Sequence, residues 1–174
     1  REALLDGLRY QIRHIPVDPT FGAALDARVT EIFGQGRVRL RSSTNAEDLQ
    51  DFSGAGLYNS FGACGAGCDD PASADIRKVW ASAWNWAAHE ERTWWGIDHL
   101  TVCMGVAVSP SHPDEEANGV LITQNIADPN VAGMYVNVQK GEVSVTNPTD
   151  GAVPEVFSII PSPDGPTTQV SRLR

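Results

Sequence analysis

The chain has 174 residues, 41% of them hydrophobic and 20% charged, which is typical of one globular domain or of part of a larger one. Its formal net charge of −9 argues against a protein that binds nucleic acid through the phosphate groups. The chain has no run of about 18 apolar residues and no start typical of a secretory signal, so we expect a cytoplasmic protein without a membrane partner.

Two amphipathic helices are predicted at the N-terminal end. Apolar residues recur every three or four positions over residues 2–14 and again over residues 22–33. Pro16 and Pro19 lie between the two segments and are interpreted as helix breakers. Each helix is therefore expected to present one apolar face to the core.

A strand with two different faces is predicted next. The segment Arg37–Arg41 alternates strictly, which places Val38 and Leu40 on one face and three arginines on the other. Three like charges on one strand face require an anionic partner or open water. The polar, Gly-rich segment 42–62 is predicted to be a loop that lies against a ligand.

The longest helix is predicted from Asp75 to about Trp95. All five tryptophans fall between Trp80 and Trp95. Because they recur at helical spacing and each ring buries a large area, we interpret them as core residues. A platform for sugar binding is the alternative.

Strands dominate the rest of the chain. Residues 100–109 are predicted to be a buried strand in the sheet interior, and residues 119–124 a second strand. A hairpin turning at Lys140-Gly141 is predicted from residues 134–139 and 143–147, and residues 154–160 could add a final strand. Helices that come early and antiparallel strands that come late predict a mixed α/β (α+β) fold, with helices on one face of a sheet.

Three cysteines are present, and Cys64 and Cys68 lie together in a Gly-rich stretch. In a reducing cytoplasm we expect these two to be free thiols in a flexible loop. Half of a metal site is the alternative, although no second Cys or His pair with ligand spacing follows. Cys103 lies in an apolar segment and is interpreted as a small core residue.

Five ordered motifs carry a resemblance to a known family. Residues 39–49 read RLRSSTNAEDL, and 52–56 read FSGAG. They closely resemble the signature of the ATP-binding (PEP/pyruvate-binding) domain of phosphoenolpyruvate synthase and pyruvate phosphate dikinase. VWAS at 79–82, GIDH at 96–99 and NGVLIT at 118–123 follow in the family's order. The resemblance, strongest over residues 37–147, implies an ATP-grasp-like lobe with a mostly antiparallel sheet packed against helices.

The resemblance also implies further domains. The first residue, Arg1, and the turn-rich segment 161–174 lead us to expect that residues 1–174 are a partial ATP-binding domain of a larger phosphotransferase. In the family, ATP phosphorylates a histidine on a carrier domain, which then serves a pyruvate-binding domain. No histidine here has the Thr-Ser-His context of that carrier, so we expect surface or strand-end positions for His14, His89, His99 and His112.

The phosphate-binding residue implied by the signature is Arg41. A guanidinium stays protonated and offers several donors in a planar fork, so a phosphate clamp at a strand end is chemically reasonable. Further donors to the nucleotide come from three hydroxyl groups, those of Ser42, Ser43 and Thr44. The alternative is that Arg41 forms a salt bridge with Glu47 or Asp48 that only holds the loop.

The resemblance implies Mg²⁺ with ATP, and Mg²⁺ requires oxygen ligands. It places Asp128 and Glu142 at the metal, and Gln139 and Glu142 at the nucleotide. The sequence departs from the family at Asn130, where a second acidic residue is expected, and at Lys140, an apparent insertion. Solvent-facing turn residues are therefore the alternative for all three side chains.

Three functions follow from these observations. The first is an ATP-binding lobe of a kinase that transfers a phosphoryl group from ATP to a carrier histidine on another domain, with the isolated chain inactive. The second is a degenerate nucleotide-sensing or docking module without catalysis. The third is a scaffold piece that uses its Trp-rich helix as an interface. Relatives serve acceptors as different as pyruvate, a glucan and an antibiotic hydroxyl.

Overall fold

The structure is a computed structural model that describes residues 1–112, 114–141, 145, 151, 153–162 and 168–173. The chain divides into two compact units, Arg1–His112 and Pro113–Arg174. In the described part of the chain, no helix is long and apolar enough to cross a membrane.

The first unit combines four helices with short antiparallel strands. Its elements are α1 (Glu2–His14), α2 (Pro19–Phe33), β1 (Val38–Thr44), β2 (Asp48–Leu49), β3 (Phe52–Ser53), β4 (Phe61–Ala63), α3 (Ala72–Ser82), α4 (Trp86–Trp94), a 3₁₀ helix (His99–Thr101) and β5 (Met104–Pro110). Strands β4, β1 and β5 form an antiparallel sheet in that order, and β2 pairs with β3.

The first two predicted helices are confirmed as α1 and α2. Helix α2 begins at Pro19, three residues before the predicted start, so this proline starts the helix instead of only breaking the chain. A proline suits the first helical turn because its missing N–H has no partner there in any case. The Asp18 carboxylate accepts a hydrogen bond from Phe21 N at 2.8 Å and caps the helix.

The predicted alternation of β1 is also confirmed. Val38 and Leu40 are fully buried in a core with Val29, Ile76 and Val79. The prediction of a loop over residues 42–62 is wrong in part, because that segment contains the end of β1, the β2–β3 hairpin and the start of β4. Strand β1 continues because β5 pairs with all seven of its residues.

The single helix predicted from Asp75 to Trp95 is wrong, since α3 and α4 are separate. Asn85 interrupts the helical path with an extended ψ of 144°. Its amide nitrogen donates to the Leu57 carbonyl oxygen at 3.0 Å and to Asn59 Oδ1 at 2.5 Å. These contacts with a distant segment outweigh local helical spacing, and α2, with 15 residues, is the longest described helix.

The tryptophans are only partly core residues. Trp80 packs against the core, and the Trp84 ring lies 5.9 Å from the guanidinium carbon of Arg92. Trp94, however, is 85% exposed and Trp95 is 49% exposed. Because the helix is interrupted before α4, the residues of α4 do not continue the apolar stripe predicted along a single helix.

The strand predicted at 100–109 begins at Met104, after the short 3₁₀ helix. The Asp98 carboxylate starts that helix by accepting from Leu100 N at 2.9 Å. In the described residues β5 pairs only with β1, so it is an edge strand and not an interior one. Cys103 therefore precedes the strand and is exposed, which corrects its interpretation as a core residue.

The prediction of free thiols at Cys64 and Cys68 is wrong, because the two form a disulfide. The loop folds back so that Cys64 pairs with Pro71, and its Cα lies 6.3 Å from that of Cys68. The loop is held against α2 by a hydrogen bond of 2.8 Å from Ala66 N to Thr30 Oγ1. The backbone contacts of this loop with Pro71 and with α2 thus place the two cysteines close enough to form the disulfide.

The second unit is a four-stranded antiparallel sheet. Its strands, in spatial order, are β6 (Ala117–Ile122), β7 (Met134–Lys140), β8 (Glu155–Pro161) and β9 (Thr168–Arg172). The strands predicted at 119–124, 134–139 and 154–160 are confirmed. The predicted hairpin partner at 143–147 lies outside the described residues except for Val145, and the described neighbours of β7 are β6 and β8. The mixed α/β fold class is confirmed.

Candidate functional site

The outer face of the first unit's sheet carries exposed arginines, Arg39 and Arg41 of β1 among them, on a floor of small residues. Arg39 and Arg41 project from β1 on the side opposite to the buried core. Residues paired across antiparallel strands share a face. The register therefore surrounds the arginines with Ser43, Gly62, Gly105, Ala107 and Ser109. We call this surface the arginine face.

Glycine is required at one point of this floor. A side chain at Gly105 would place its Cβ 2.9 Å from the backbone oxygen of Ser43, which is too close for real contacts. The floor beside β1 therefore stays flat. A flat floor leaves the approach to the guanidinium of Arg41 open.

Arg41 is exposed but fixed at one point. Its Nε donates a hydrogen bond of 3.1 Å to Ser109 Oγ. Its terminal nitrogens, Nη1 and Nη2, have no hydrogen bond or ion pair with the described residues. The alternative of a salt bridge with Glu47 or Asp48 is not formed in the structure. The charge of Arg41 is thus available to an anion from solvent.

The predicted hydroxyl donors fall on two faces of β1. Ser43 shares the arginine face with Arg41, whereas Ser42 and Thr44 alternate to the other side. Thr44 Oγ1 accepts from Ala46 N at 3.2 Å and so supports the following turn. The structure therefore brings only Ser43 to the side of Arg41.

A buried arginine that sequence reasoning missed anchors the signature segment. Arg92 is fully buried, and its Nη2 donates to the Ala83 carbonyl oxygen at 2.6 Å. Its Nη1 donates to the Tyr58 hydroxyl at 3.3 Å, and that hydroxyl donates to the Ala46 carbonyl oxygen at 2.9 Å. Helix α4 is thereby tied to the turn that follows β1. No local pattern marks such a long-range connection.

Two histidines of this unit lie together beside that arginine. The rings of His89 and His99 stack with centroids 4.2 Å apart, and Arg92 Nε donates to His99 Nδ1 at 3.3 Å. Burial, then the neighbouring His89 and Arg92, lower the pKa of His99, while Asp98 opposes the shift. His99 is therefore neutral at pH 7, and its contacts are those of a structural residue.

Gln139 lies on the face of β7 that also carries Tyr135 and Asn137, because side chains alternate along a strand. Among the described residues its buried Oε1 has no hydrogen-bond partner, and the same holds for Asn137 Oδ1 on the same strand face and for Ser158 Oγ on β8. A buried acceptor without a donor loses its hydration with no compensation. The amide oxygen of Gln139 therefore fits a ligand that brings an N–H group or a cation.

Asp128 lies in the turn between β6 and β7. Its Oδ1 accepts from Asn130 N at 3.0 Å and from Asn130 Nδ2 at 3.3 Å. The described contacts of the Asp128 carboxylate therefore lie within its own turn.

The remaining predicted ligand, Glu142, lies outside the described residues. Within the part of the chain that the structure describes, no group of three or more His, Cys, Asp or Glu side chains is arranged to hold a metal ion. The carboxylate oxygens of Asp128 are of the kind that suits Mg²⁺, and its assignment to the metal together with Glu142 stays a prediction.

The fold is a mixed α/β domain whose first sheet exposes the arginine face. Residues 8–150 match the family model described as pyruvate phosphate dikinase, AMP/ATP-binding domain, and the chain belongs to this family. ATP binding and a place in a dikinase family follow from that membership. The match confirms the resemblance and the ATP-grasp-like lobe predicted from it. No individual curated protein matched the sequence.

Proposed function

We propose that the chain is the ATP-binding lobe of a kinase like phosphoenolpyruvate synthase or pyruvate phosphate dikinase. In this proposal residues 1–174 form part of a larger phosphotransferase, which transfers a phosphoryl group from ATP to a carrier histidine on another domain. The proposal is carried by the position of Arg41, whose terminal nitrogens have no partner among the described residues and lie on a face of small residues, in a family that binds ATP.

Arg41 acts on the triphosphate in this proposal. Phosphoryl transfer depends mainly on positioning and on cations that stabilise charge spreading over the phosphoryl oxygens. A guanidinium donates two parallel hydrogen bonds to a phosphate and remains charged at any physiological pH. Arg41 therefore binds ATP and stabilises the negative charge that develops during transfer.

The other residues of the proposal have different support. The unpartnered amide oxygen of Gln139 supports a contact with an N–H group of the nucleotide. Nucleotide contacts of Ser42, Thr44 and Glu142, and metal ligation by Asp128 and Glu142, rest on the family resemblance alone. When bound, Mg²⁺ neutralises phosphate charge. No step assigned here to the chain depends on it.

The clamp is tested by Arg41→Ala in the full-length protein. Losing a charge-assisted hydrogen-bonding group weakens Mg-ATP binding about tenfold or more, measured by isothermal titration calorimetry. Arg28→Ala is the matched control, because it removes the same charge from α2, where Arg28 pairs only with Glu31 in the described residues. An Arg41→Ala variant that titrates like the parent contradicts the clamp.

A degenerate nucleotide-sensing module is the second candidate. It is favoured by the turn at Asp128, whose carboxylate bonds within its own turn to Asn130, the residue that replaces an expected acid. Incubation of the full-length protein with γ-labelled ATP separates the two functions. Acid-labile, base-stable phosphohistidine supports the kinase, whereas bound ATP without phosphohistidine supports the sensing module.

A further inference from the structure

The hydrogen bond between Arg41 and Ser109 has a defined direction. Arg41 Nε donates to Ser109 Oγ at 3.1 Å, and the same hydroxyl donates to the Pro110 carbonyl oxygen at 3.4 Å. The hydroxyl hydrogen is thus directed away from the guanidinium, and an oxygen lone pair faces Nε. Hydrogen bonds in such a chain polarise one another in the same direction.

The sheet register makes this contact possible. Arg41 lies directly opposite Ala107, while Ser109 lies two residues further along β5 as a diagonal neighbour. Diagonal neighbours on adjacent strands are about 7–8 Å apart, within reach of a long side chain. The small side chain of Ala107 leaves the space that the arginine stem crosses.

The bond at Nε determines which nitrogens remain for a ligand. Because Nε is occupied, the free edge of the guanidinium is the pair Nη1 and Nη2. That pair matches two oxygens of a phosphate group. An arginine side chain loses substantial rotamer freedom when a ligand fixes it, so fixing it beforehand favours binding.

We propose that Ser109 is a positioning residue that holds the Arg41 guanidinium ready to bind the polyphosphate of the nucleotide. This inference rests on the proposed function of Arg41. It assigns to Ser109 no contact with the ligand, so every effect of Ser109 on binding passes through Arg41.

The test is a double-mutant cycle in the full-length protein, with Mg-ATP and inorganic tripolyphosphate as separate probes in calorimetry. Loss of one neutral acceptor in Ser109→Ala weakens binding of both probes about threefold to tenfold. Ser109→Thr keeps the hydroxyl and retains the parent affinity. In the Arg41→Ala background, Ser109→Ala causes no further loss. Ser111→Ala, a serine just beyond β5 that does not contact Arg41, is the matched control.

The outcomes separate the inference from the function beneath it. If Arg41→Ala leaves both affinities unchanged, the proposed function fails, and the positioning role fails with it. If Arg41→Ala weakens binding but Ser109→Ala does not, the positioning role is overturned while the clamp stands. The same conclusion follows if Ser109→Ala still weakens binding in the Arg41→Ala background. Exchange of the Arg41 Nε proton, followed by NMR without ligand, must also accelerate in Ser109→Ala and not in Ser109→Thr.

Discussion

The polar sheet faces of the two units differ in how they are solvated. On the arginine face of the first unit, charged groups are exposed to water. On the polar face of β7 and β8, the side-chain oxygens of Asn137, Gln139 and Ser158 are buried and have no donor within the described part of the chain. The open face leaves its charged groups hydrated. The closed face carries an unfavourable desolvation free energy until donors reach it.

The apolar sides of the two sheets differ as well. In the first unit, helices cover β1, and Val38 and Leu40 are completely buried. Among the described residues of the second unit, the buried ones are Asn125, Val145 and Ser158. The first sheet is therefore stabilised mainly by hydrophobic burial, whereas the described part of the second has few buried apolar side chains.

The largest expected effect tests this difference in burial. Leu40→Ala leaves a cavity in the core of the first unit and lowers the free energy of unfolding by about 2–5 kcal/mol. Leu121→Ala on β6, where the leucine is 53% exposed, changes it by no more than about 0.5 kcal/mol. Urea unfolding followed by tryptophan fluorescence gives the first value, and circular dichroism gives the second. Equal losses would contradict the comparison.

Reduction of the Cys64–Cys68 disulfide sharpens the description of the first unit. Opening so short a loop lowers the free energy of unfolding by about 2 kcal/mol in the chain-entropy model. All five tryptophans lie in this unit, so their fluorescence reports its unfolding with and without a phosphine reductant. A Cys103→Ser variant controls for exchange with the third thiol. An unchanged midpoint would show that the loop is held by packing alone.

A pair of buried serines compares satisfied and unsatisfied hydroxyls. Ser82 Oγ donates to the Val79 carbonyl oxygen at 2.7 Å, so Ser82→Ala lowers stability. Ser158 Oγ has no partner in the ranges that the structure describes, so Ser158→Ala is expected to be neutral or stabilising. Each change is about 1 kcal/mol or less in size, as expected for single hydrogen-bonding groups. Thermal unfolding measures both, and a clear loss at Ser158 would reveal a partner.

The smallest effect concerns pH. Because burial and the neighbouring His89 and Arg92 hold the folded-state pKa of His99 below its ordinary value of 6.5, the unfolded chain binds the proton first as the pH falls. The contribution of His99 to the stability of the first unit therefore falls as the pH drops through the ordinary histidine range, and the decline stops below the folded-state pKa. His99→Gln flattens this part of the profile of unfolding free energy against pH. A profile equally steep in the variant would exclude His99 as its source.

Local periodicity predicted most of the fold. The alternation at Val38 and Leu40 identified both the core face and the arginine face, because burial on one side of a strand leaves a period of two in the sequence. The helices α1 and α2 and the strands β6, β7 and β8 were identified in the same way. For the candidate site, the motif around Arg41 gave the family, and the match over residues 8–150 confirmed it.

The remainder depended on contacts between distant residues. The contact of Asn85 with Leu57 decided where a helix stopped, and no helical pattern contains it. Likewise, Ser109 is 68 residues from Arg41 and is recognised only through the strand register. The disulfide was missed because an assumed reducing environment outweighed the close spacing of two cysteines.

The interruption between α3 and α4 makes the enclosed charge of Arg92 tolerable. In an unbroken helix, the Ala83 carbonyl oxygen would accept from the backbone N–H four residues later, and Arg92 would be displaced about 13 Å along the axis. Nine residues apart in sequence, the two meet only because the chain bends at Asn85. A continuous helix through Asn85 would therefore leave the buried guanidinium of Arg92 without the Ala83 carbonyl oxygen, its shortest hydrogen-bond contact.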